Sequence, residues 1–280
     1  MTTQALPEFE NPPVVEVAIS LQFKPLELLH SAHFGFLWEA LRAEGFSRIE
    51  DHGELEPAFE EFDTRPSGKF GVRVQAFDDA PPLPRVWFMN ENQNELIQVQ
   101  RDRLIVNWRQ GAKSEPYPRY VSILHRFKFA LEAFQAFTAA EKLGALIPAQ
   151  CEVTYVNHMP AGLGWDKHGD LTSVIGPWSG QYSDSYLSAP EDVGFSARYR
   201  MEGERGNAIG RLYVTFQPAY RNSDGLPIFV MNLTARGKPE PADFKGAFSL
   251  FDQEHEWIVR GFTSMTTKKM HDIWRRKNGG

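Results

Sequence analysis

The sequence has almost no cysteine: its 280 residues include one, Cys151. No disulfide can form within the chain, and cysteine-rich zinc modules are excluded. Apolar runs are short as well, and none approaches the roughly 20 residues that a membrane-spanning helix needs. The opening MTTQALPEFENPP has neither a basic region nor an apolar core, so it does not read as a signal peptide. These absences predict a cytoplasmic protein with no membrane association.

Familiar catalytic motifs are also absent. The sequence contains no GxxxxGK[ST] loop, no strand-borne GxGxxG, no GxSxG elbow and no HExxH. P-loop, dinucleotide-binding, serine-hydrolase and zinc-protease classes therefore lose support, whereas an enzyme with an unfamiliar site stays open. His30 and His33 have helical ligand spacing but no third ligand nearby. We therefore predict no cofactor and no metal site.

Charge is present but uneven. The net charge of -6 argues against a nucleic-acid binder. Residues 50–63 hold seven acidic residues and no Lys or Arg, whereas residues 264–280 hold five Lys or Arg residues and one acidic residue. That basic cluster is the segment best suited to nucleic acid. Basic residues at the end of a terminal helix also suit the helix dipole, so nucleic-acid binding stays the lesser interpretation.

The first half of the chain predicts a strand, a helix, several strands and a longer helix. Alternating apolar residues predict a strand over Val14–Phe23. The helices are predicted over Leu26–Glu44, ended by Gly45, and from Pro118 to about Gly144. Five further strands are predicted at Glu56–Phe62, Phe70–Phe77, Val86–Asn90, Leu96–Gln100 and Arg103–Arg109.

The second half repeats this order. Strands are predicted at Glu152–His158, Phe195–Glu202, Ile209–Gln217 and Ile228–Ala235, with a short helix near Leu171–Ile175. Asp243 is a plausible N-cap of a long helix with an apolar stripe, and a short helix follows Thr266 or Thr267.

These elements predict an α+β protein with an antiparallel sheet and long helices on one face. It divides into two similar β-α-β(n)-α halves, residues 1–147 and 148–280. Two architectures fit: a duplication like the saddle of the TATA-binding protein, or a helix-grip fold with a cavity under its long helix. Neither analogy carries function.

The segment from Gln98 to Tyr120 is the richest in polar and aromatic residues. On the predicted strand, Arg103, Asn107 and Arg109 share one face and Trp108 lies on the other. Guanidinium groups bind carboxylates and phosphates through paired hydrogen bonds, so this face suits an anionic ligand or an acidic partner. Further donors at the next helix start are Tyr117, Arg119 and Tyr120. Pairing of the arginines with the acidic 50–63 segment is the alternative.

His255 is the second candidate, because it lies on the apolar stripe of a helix beside Glu256. A buried imidazole needs a hydrogen-bond partner and titrates near neutrality. A hydrogen-bonded core histidine is the favoured interpretation, and a catalytic role is the alternative.

Several motifs carry a family resemblance: NPPVVEV from residue 11, NWR from 107, YPRY from 117, HE from 255, GFT from 261 and MHDIW from 270. In this order they resemble a sporadically distributed bacterial protein family of unknown function. The resemblance spans the chain, and the family's patchy occurrence looks like that of defence-island genes. It implies no catalytic residues.

Three functions follow as hypotheses. The first is a non-enzymatic interaction or sensor protein, an accessory or immunity component of a bacterial defence or toxin–antitoxin-like locus, with a protein partner or a second copy. The second is a small-ligand binder of the helix-grip type. The third is an enzyme with a site around His255 and the central arginines.

Overall fold

The computed structural model describes residues 5–62, 83–111, 115–184, 186–188, 190–203 and 206–277. The strands are β1 (Glu8–Phe9), β2 (Val14–Phe23), β3 (Arg48–His52), β4 (Arg85–Met89), β5 (Glu95–Gln100), β6 (Arg103–Arg109), β7 (Pro148–Pro160), β8 (Phe195–Glu202), β9 (Ala208–Tyr220), β10 (Pro227–Gly237) and β11 (Arg276–Lys277). The α-helices are α1 (His33–Ala43), α2 (Tyr120–Ala140), α3 (Phe244–Met265) and α4 (Lys268–Ile273). A short 3₁₀ helix covers His168–Ser173.

Nine strands form one antiparallel sheet in the order β3-β4-β5-β6-β2-β7-β10-β9-β8. The first strand that each half contributes to this sheet, β2 or β7, lies at the centre, and the two pair with each other. Each also pairs with the last strand that its own half contributes, β6 or β10. The two halves of the chain therefore share one continuous sheet, and the predicted α+β antiparallel architecture is confirmed.

Strand alternation gives the sheet two different faces. On β7, Val153 and Tyr155 are buried on the face that α2 and α3 cover. Glu152 and Thr154 point to the opposite face, where Arg236 and Thr234 of β10 bond to them. We call these the helix face and the polar face.

The two long helices pack side by side on the helix face. Phe127 of α2 meets Phe251 of α3 with ring centroids 5.2 Å apart, and both side chains are fully buried. The side chain of Asp243 accepts a hydrogen bond from the backbone N–H of Gly246 at 2.7 Å, so the predicted N-cap of α3 is confirmed. No helix in the described part of the chain is long and apolar enough to cross a membrane.

Three predicted elements differ from the structure. Residues 56–62 are irregular, and the strand of this region is the earlier β3. Helix α1 begins at His33 rather than Leu26, because the His33 ring accepts the backbone N–H of His30 and a turn replaces the first helical residues. The 3₁₀ helix lies slightly before the helix predicted near Leu171. The predicted strand Phe70–Phe77 lies outside the described residues.

Candidate functional site

A cavity of about 620 Å³ opens on the helix face. Its walls come from the start of α2, the middle of α3, strand β7 and an N-terminal arm, which we define as residues 5–13. Apolar side chains form most of the wall, and they include Leu6, Val14, Val121, Ile258 and Val259. Volume and lining are those of a small-molecule site, in which a few polar groups fix the orientation of a mainly apolar ligand.

Polar groups of the cavity form a hydrogen-bonded chain. The hydroxyl of Tyr117 lies 2.8 Å from that of Tyr155, which lies 3.0 Å from Nδ1 of His255. The ring of Tyr120 stacks on the imidazole, with centroids 3.9 Å apart and planes 5° from parallel. The Tyr120 hydroxyl donates to Asp252 Oδ1 at 3.1 Å. Three tyrosines thereby fix the position of one histidine.

Burial keeps this cluster uncharged. It lowers the pKa of His255 to about 4 against a weaker opposing effect of Glu256, so the imidazole is neutral at pH 7. Burial also raises the pKa of Tyr117 to about 12, and the pKa of Tyr155 and of Tyr120 rises as well. A neutral imidazole both donates and accepts, so Nε2 is a donor if Tyr155 donates to Nδ1, and an acceptor if Nδ1 donates.

Arg119 connects the start of α2 to the N-terminal arm. Its Nη1 donates to the carbonyl of Phe9 at 2.9 Å, and its Nη2 donates to the carbonyl of Glu10 at 3.2 Å. Its backbone has φ 74° and ψ 153°, a region used almost only by glycine. Such a conformation costs on the order of 1–3 kcal/mol, and strained residues concentrate at ligand-binding and switching sites.

The arm is held mainly by one aromatic residue. Phe9 packs edge-on against Phe262, His271 and Trp274, with ring centroids 5.5–6.1 Å apart. Strand β1 pairs with β11, and Glu8 meets Lys277 at 3.0 Å. The wall of the cavity that the arm supplies is therefore anchored by packing, with ion pairs at its edge.

The structure brings five of the predicted site residues to this cavity. They are Tyr117, Arg119, Tyr120, His255 and Glu256. Trp108 lies next to them, buried, with its ring 5.6 Å from that of Tyr117. Glu256 accepts a hydrogen bond from Arg260 at 2.7 Å, so its carboxylate is already paired.

The remaining predicted residues lie elsewhere. On the polar face, Arg103 donates to Gln22 at 2.6 Å and Asn107 donates to Glu16 at 2.7 Å. Nε of Arg109 donates to the carbonyl of Gln93 at 2.6 Å. The sheet separates Arg103 and Asn107 from His255, so the structure forms no single site from the histidine and the central arginines.

The alternative interpretation of the arginines is close to what is observed. The acidic segment does cover the polar face, and the backbone carbonyl of Glu56 accepts from Arg103 at 3.1 Å. The carboxylate of Glu60, however, pairs with Arg211 and Arg236, which belong to β9 and β10. Burial lowers the pKa of Arg103, and nearby acidic side chains only partly oppose this effect.

Sequence reasoning missed three parts of the cavity: Tyr155, Asp252 and the N-terminal arm. Tyr155 carries a weak signal, since it falls on the apolar side of a strand whose other side is polar. Asp252 lies three residues before His255 on α3, which is one helical turn. The arm carries no local signal, because its partner is at the other end of the chain.

The two histidines weighed as metal ligands contact each other instead. The Nδ1 atom of His33 accepts from the backbone of His30 at 2.9 Å, and their rings stack. Across the residues that the structure describes, no group of three or more metal-ligating side chains is present. No protein-family model matches the chain, and no curated protein matches it either.

Proposed function

We propose that the protein is a non-enzymatic sensor that binds a small molecule in the cavity between α2, α3 and the N-terminal arm. One observation carries the proposal: a neutral Tyr117–Tyr155–His255 chain is fixed in place inside a cavity of about 620 Å³ with mostly apolar walls. Polar groups that are already ordered in an apolar cavity orient a ligand and provide specificity, and little of their own conformational entropy is lost on binding.

The cavity chemistry favours an uncharged ligand with a flat apolar body. The neutral imidazole and the protonated phenols offer hydrogen bonds without charge. The charged side chains of the wall already have partners: Arg119 bonds to the arm, Asp252 to Tyr120, Glu256 to Arg260 and Glu8 to Lys277. An aromatic ring also suits the exposed edge of the stacked Tyr120–His255 pair. The ligand would place one hydroxyl, carbonyl or amide group near His255 and its apolar part against Val121 and Val259.

The proposal includes a partner that detects the bound state. The N-terminal arm forms one wall of the cavity and is tied to the rest of the chain through a β-ribbon of only two residues, so it is the element best placed to respond to ligand. The family resemblance adds the expectation of a partner encoded nearby in a bacterial defence or toxin–antitoxin-like locus. A pull-down with the proteins encoded by neighbouring genes tests this part of the proposal separately.

We also propose that the two halves arose by duplication. In each, the first strand contributed to the nine-stranded sheet lies at the centre and pairs with the last one, and the remaining strands follow outward in reverse order. The first half has one more strand than the second, at the outer edge.

A cavity-filling variant tests the ligand proposal. The neutral fluorescent probe N-phenyl-1-naphthylamine should bind the purified wild-type protein saturably at one site. Val259→Trp places an indole into the cavity and should abolish that signal. Lys245→Trp, on an exposed position of the same helix, is the matched control and should bind as wild type does. Equal binding by both variants would contradict the proposal.

A further inference from the structure

The polar face of the sheet is crossed by an extended segment of the chain itself, residues 53–62. The segment is not a strand, and side chains of the sheet hold its backbone. Gln100 both donates to the carbonyl of Leu55 and accepts its N–H, each at 3.0 Å. Gln22 accepts the N–H of Ala58 at 3.3 Å, and Arg103 donates to the carbonyl of Glu56. Contacts of this kind bind an extended backbone whatever its side chains.

One side chain of the segment enters a built anion socket. The carboxylate of Glu60 is 2% exposed. It accepts from Tyr213 at 2.7 Å and from Arg211, and Arg236 lies 3.7 Å away. Two residues later, the Phe62 ring lies under Arg211, whose guanidinium carbon is 4.6 Å from the ring centroid. The socket therefore selects an acidic residue followed two positions later by an aromatic one.

Three arginines form a row across neighbouring strands of the polar face. Arg200, Arg211 and Arg236 lie directly opposite one another on three neighbouring strands. Like charges side by side on a sheet are destabilising, so this row is costly without an anion on it. Arg236 also pairs with Glu152, which leaves Glu60 as the acidic partner of Arg211. A row of this kind is typical of recognition of an acidic partner.

Among the residues that the structure describes, several buried polar atoms of the polar face have no hydrogen-bond partner. They include Nε of Arg103, Nε2 of Gln150 and Oε1 of Gln98. Arg103 and Gln150 line a small crevice against Ala58, whose methyl group cannot bond to either of them. Native interiors leave few such atoms unpaired, and each one costs stability. The internal segment is therefore an imperfect occupant at the position two residues before Glu60.

We propose that the polar face binds an extended acidic peptide of a partner protein, and that residues 53–62 occupy the face as an internal pseudo-ligand. The peptide has a polar side chain at the Ala58 position, an acidic residue at the Glu60 position and an aromatic residue at the Phe62 position. Its polar side chain accepts from Nε of Arg103 and Nε2 of Gln150, two donors that have no partner among the described residues. Tethering gives the segment a high effective concentration, so the partner must bind better to displace it.

A labelled peptide tests the proposal directly. The peptide carries residues 53–62 with Ala58→Ser, and the full-length protein is used as wild type and as Glu60→Ala. We expect the Glu60→Ala protein, whose socket is free, to bind the peptide at least tenfold more tightly than wild type does. The control peptide, with Glu60→Gln added, should lose at least tenfold in affinity for the same protein. Equal affinity for the two peptides, or none for either, would overturn the proposal.

A second variant serves if Glu60→Ala destabilises the fold. Ala58→Ser in the full-length protein supplies the missing hydroxyl to the internal segment and leaves the socket intact. Backbone amides of residues 55–62 should then exchange hydrogen at least threefold more slowly, and the labelled peptide should bind more weakly than it does to wild type. Unchanged exchange would contradict the proposed imperfect fit. If single-stranded DNA displaces the labelled peptide and binds more tightly than the peptide does, the face binds nucleic acid and the peptide proposal is wrong.

Discussion

The two faces of the same sheet hold polar groups by opposite means. On the helix face, Tyr155 and His255 are kept neutral by burial and bond in a chain beside an apolar cavity. On the polar face, the Glu60 carboxylate forms ion pairs with Arg211 and Arg236, beneath the segment of residues 53–62 that carries it. Residues adjacent on one strand, Thr154 and Tyr155, contribute to the two environments.

This difference separates two kinds of specificity. Neutral groups beside a cavity discriminate by shape and by hydrogen bonds, and they respond little to salt. Charged groups that meet a partner at a surface discriminate by charge, and their attraction to an incoming partner weakens as the salt concentration rises. Under the two proposals, a site for a small uncharged molecule and a surface for an acidic partner lie on opposite sides of a single layer.

The largest expected effect is on the polar face, for Arg236→Leu. This change leaves Glu60 and Glu152 without the cation between them, and breaking a buried pair on one side is strongly destabilising. We expect the free energy of unfolding in urea to fall by about 3 kcal/mol, at the low end for such pairs because Arg236 is partly exposed. Adding Glu152→Leu to this variant should restore part of the lost stability. If Arg236→Leu alone causes no loss, ion pairs do not stabilise the polar face and the contrast with the helix face is wrong.

The next effect is an acid sensitivity of the helix face. The pKa of His255 is lowered in the folded state, so its contribution to stability is present above the ordinary pKa of 6.5 and is lost as the pH falls through about 4. Between pH 7 and pH 4, the free energy of unfolding should fall by about 2–3 kcal/mol from this group.

The variant His255→Phe keeps a ring against Tyr120 and cannot titrate. Because other groups titrate in the same range, the measurement is the difference between the two urea series. The wild type should lose more stability than the variant over this interval, and parallel curves would show that His255 is not buried in a neutral form.

A smaller effect is expected for Tyr155→Phe, which removes the central hydroxyl of the hydrogen-bonded chain. Tyr117 and His255 both lose a partner, so the free energy of unfolding should fall by about 1–2 kcal/mol. Thr154→Val is the matched control on the opposite side of the same strand, where it removes one hydroxyl pair with Thr234. Equal losses in urea denaturation would show that the chain is no more cooperative than an isolated pair.

The smallest effect is expected for Lys277→Ala, at the edge of the arm. The Lys277–Glu8 pair is more than half exposed, and exposed ion pairs contribute roughly 0–1 kcal/mol. Phe9→Ala should instead release the arm and raise hydrogen exchange in residues 8–11. A larger loss from Lys277→Ala than from Phe9→Ala would show that charge, rather than packing, holds this wall of the cavity.

Local periodicity predicted much of the fold. The alternation in β2 and β6 and the stripe of α3 follow from residues that are neighbours in sequence, and Asp243 was found as a cap for the same reason. Five of the residues predicted as a site line the cavity, namely Tyr117, Arg119, Tyr120, His255 and Glu256. The rest depends on long-range contacts: Tyr155 meets His255 across 100 residues, and Glu60 meets Arg211 across 151.

The central arginines show what a sequence pattern leaves open. Strand periodicity places Arg103, Asn107 and Arg109 on one face, but it does not say on which side of the sheet the helix bearing His255 packs, and the enzyme hypothesis joined the two. In the structure, Arg103 and Asn107 lie on the polar face, away from the helices. Glu254 shows the converse: it lies fully buried on the inner stripe of α3, with its pKa raised well above the ordinary value by burial, and no pattern of charges indicated it.

The short ribbon between β1 and β11 also has a mechanical meaning. A force applied between the two ends of the chain meets this two-residue pairing before it reaches the nine-stranded sheet. The ribbon and the packing of Phe9 would yield first, and the arm would peel away from an intact core. The molecule would lose one wall of its cavity under load without unfolding, and in that sense the ribbon acts as a mechanical fuse.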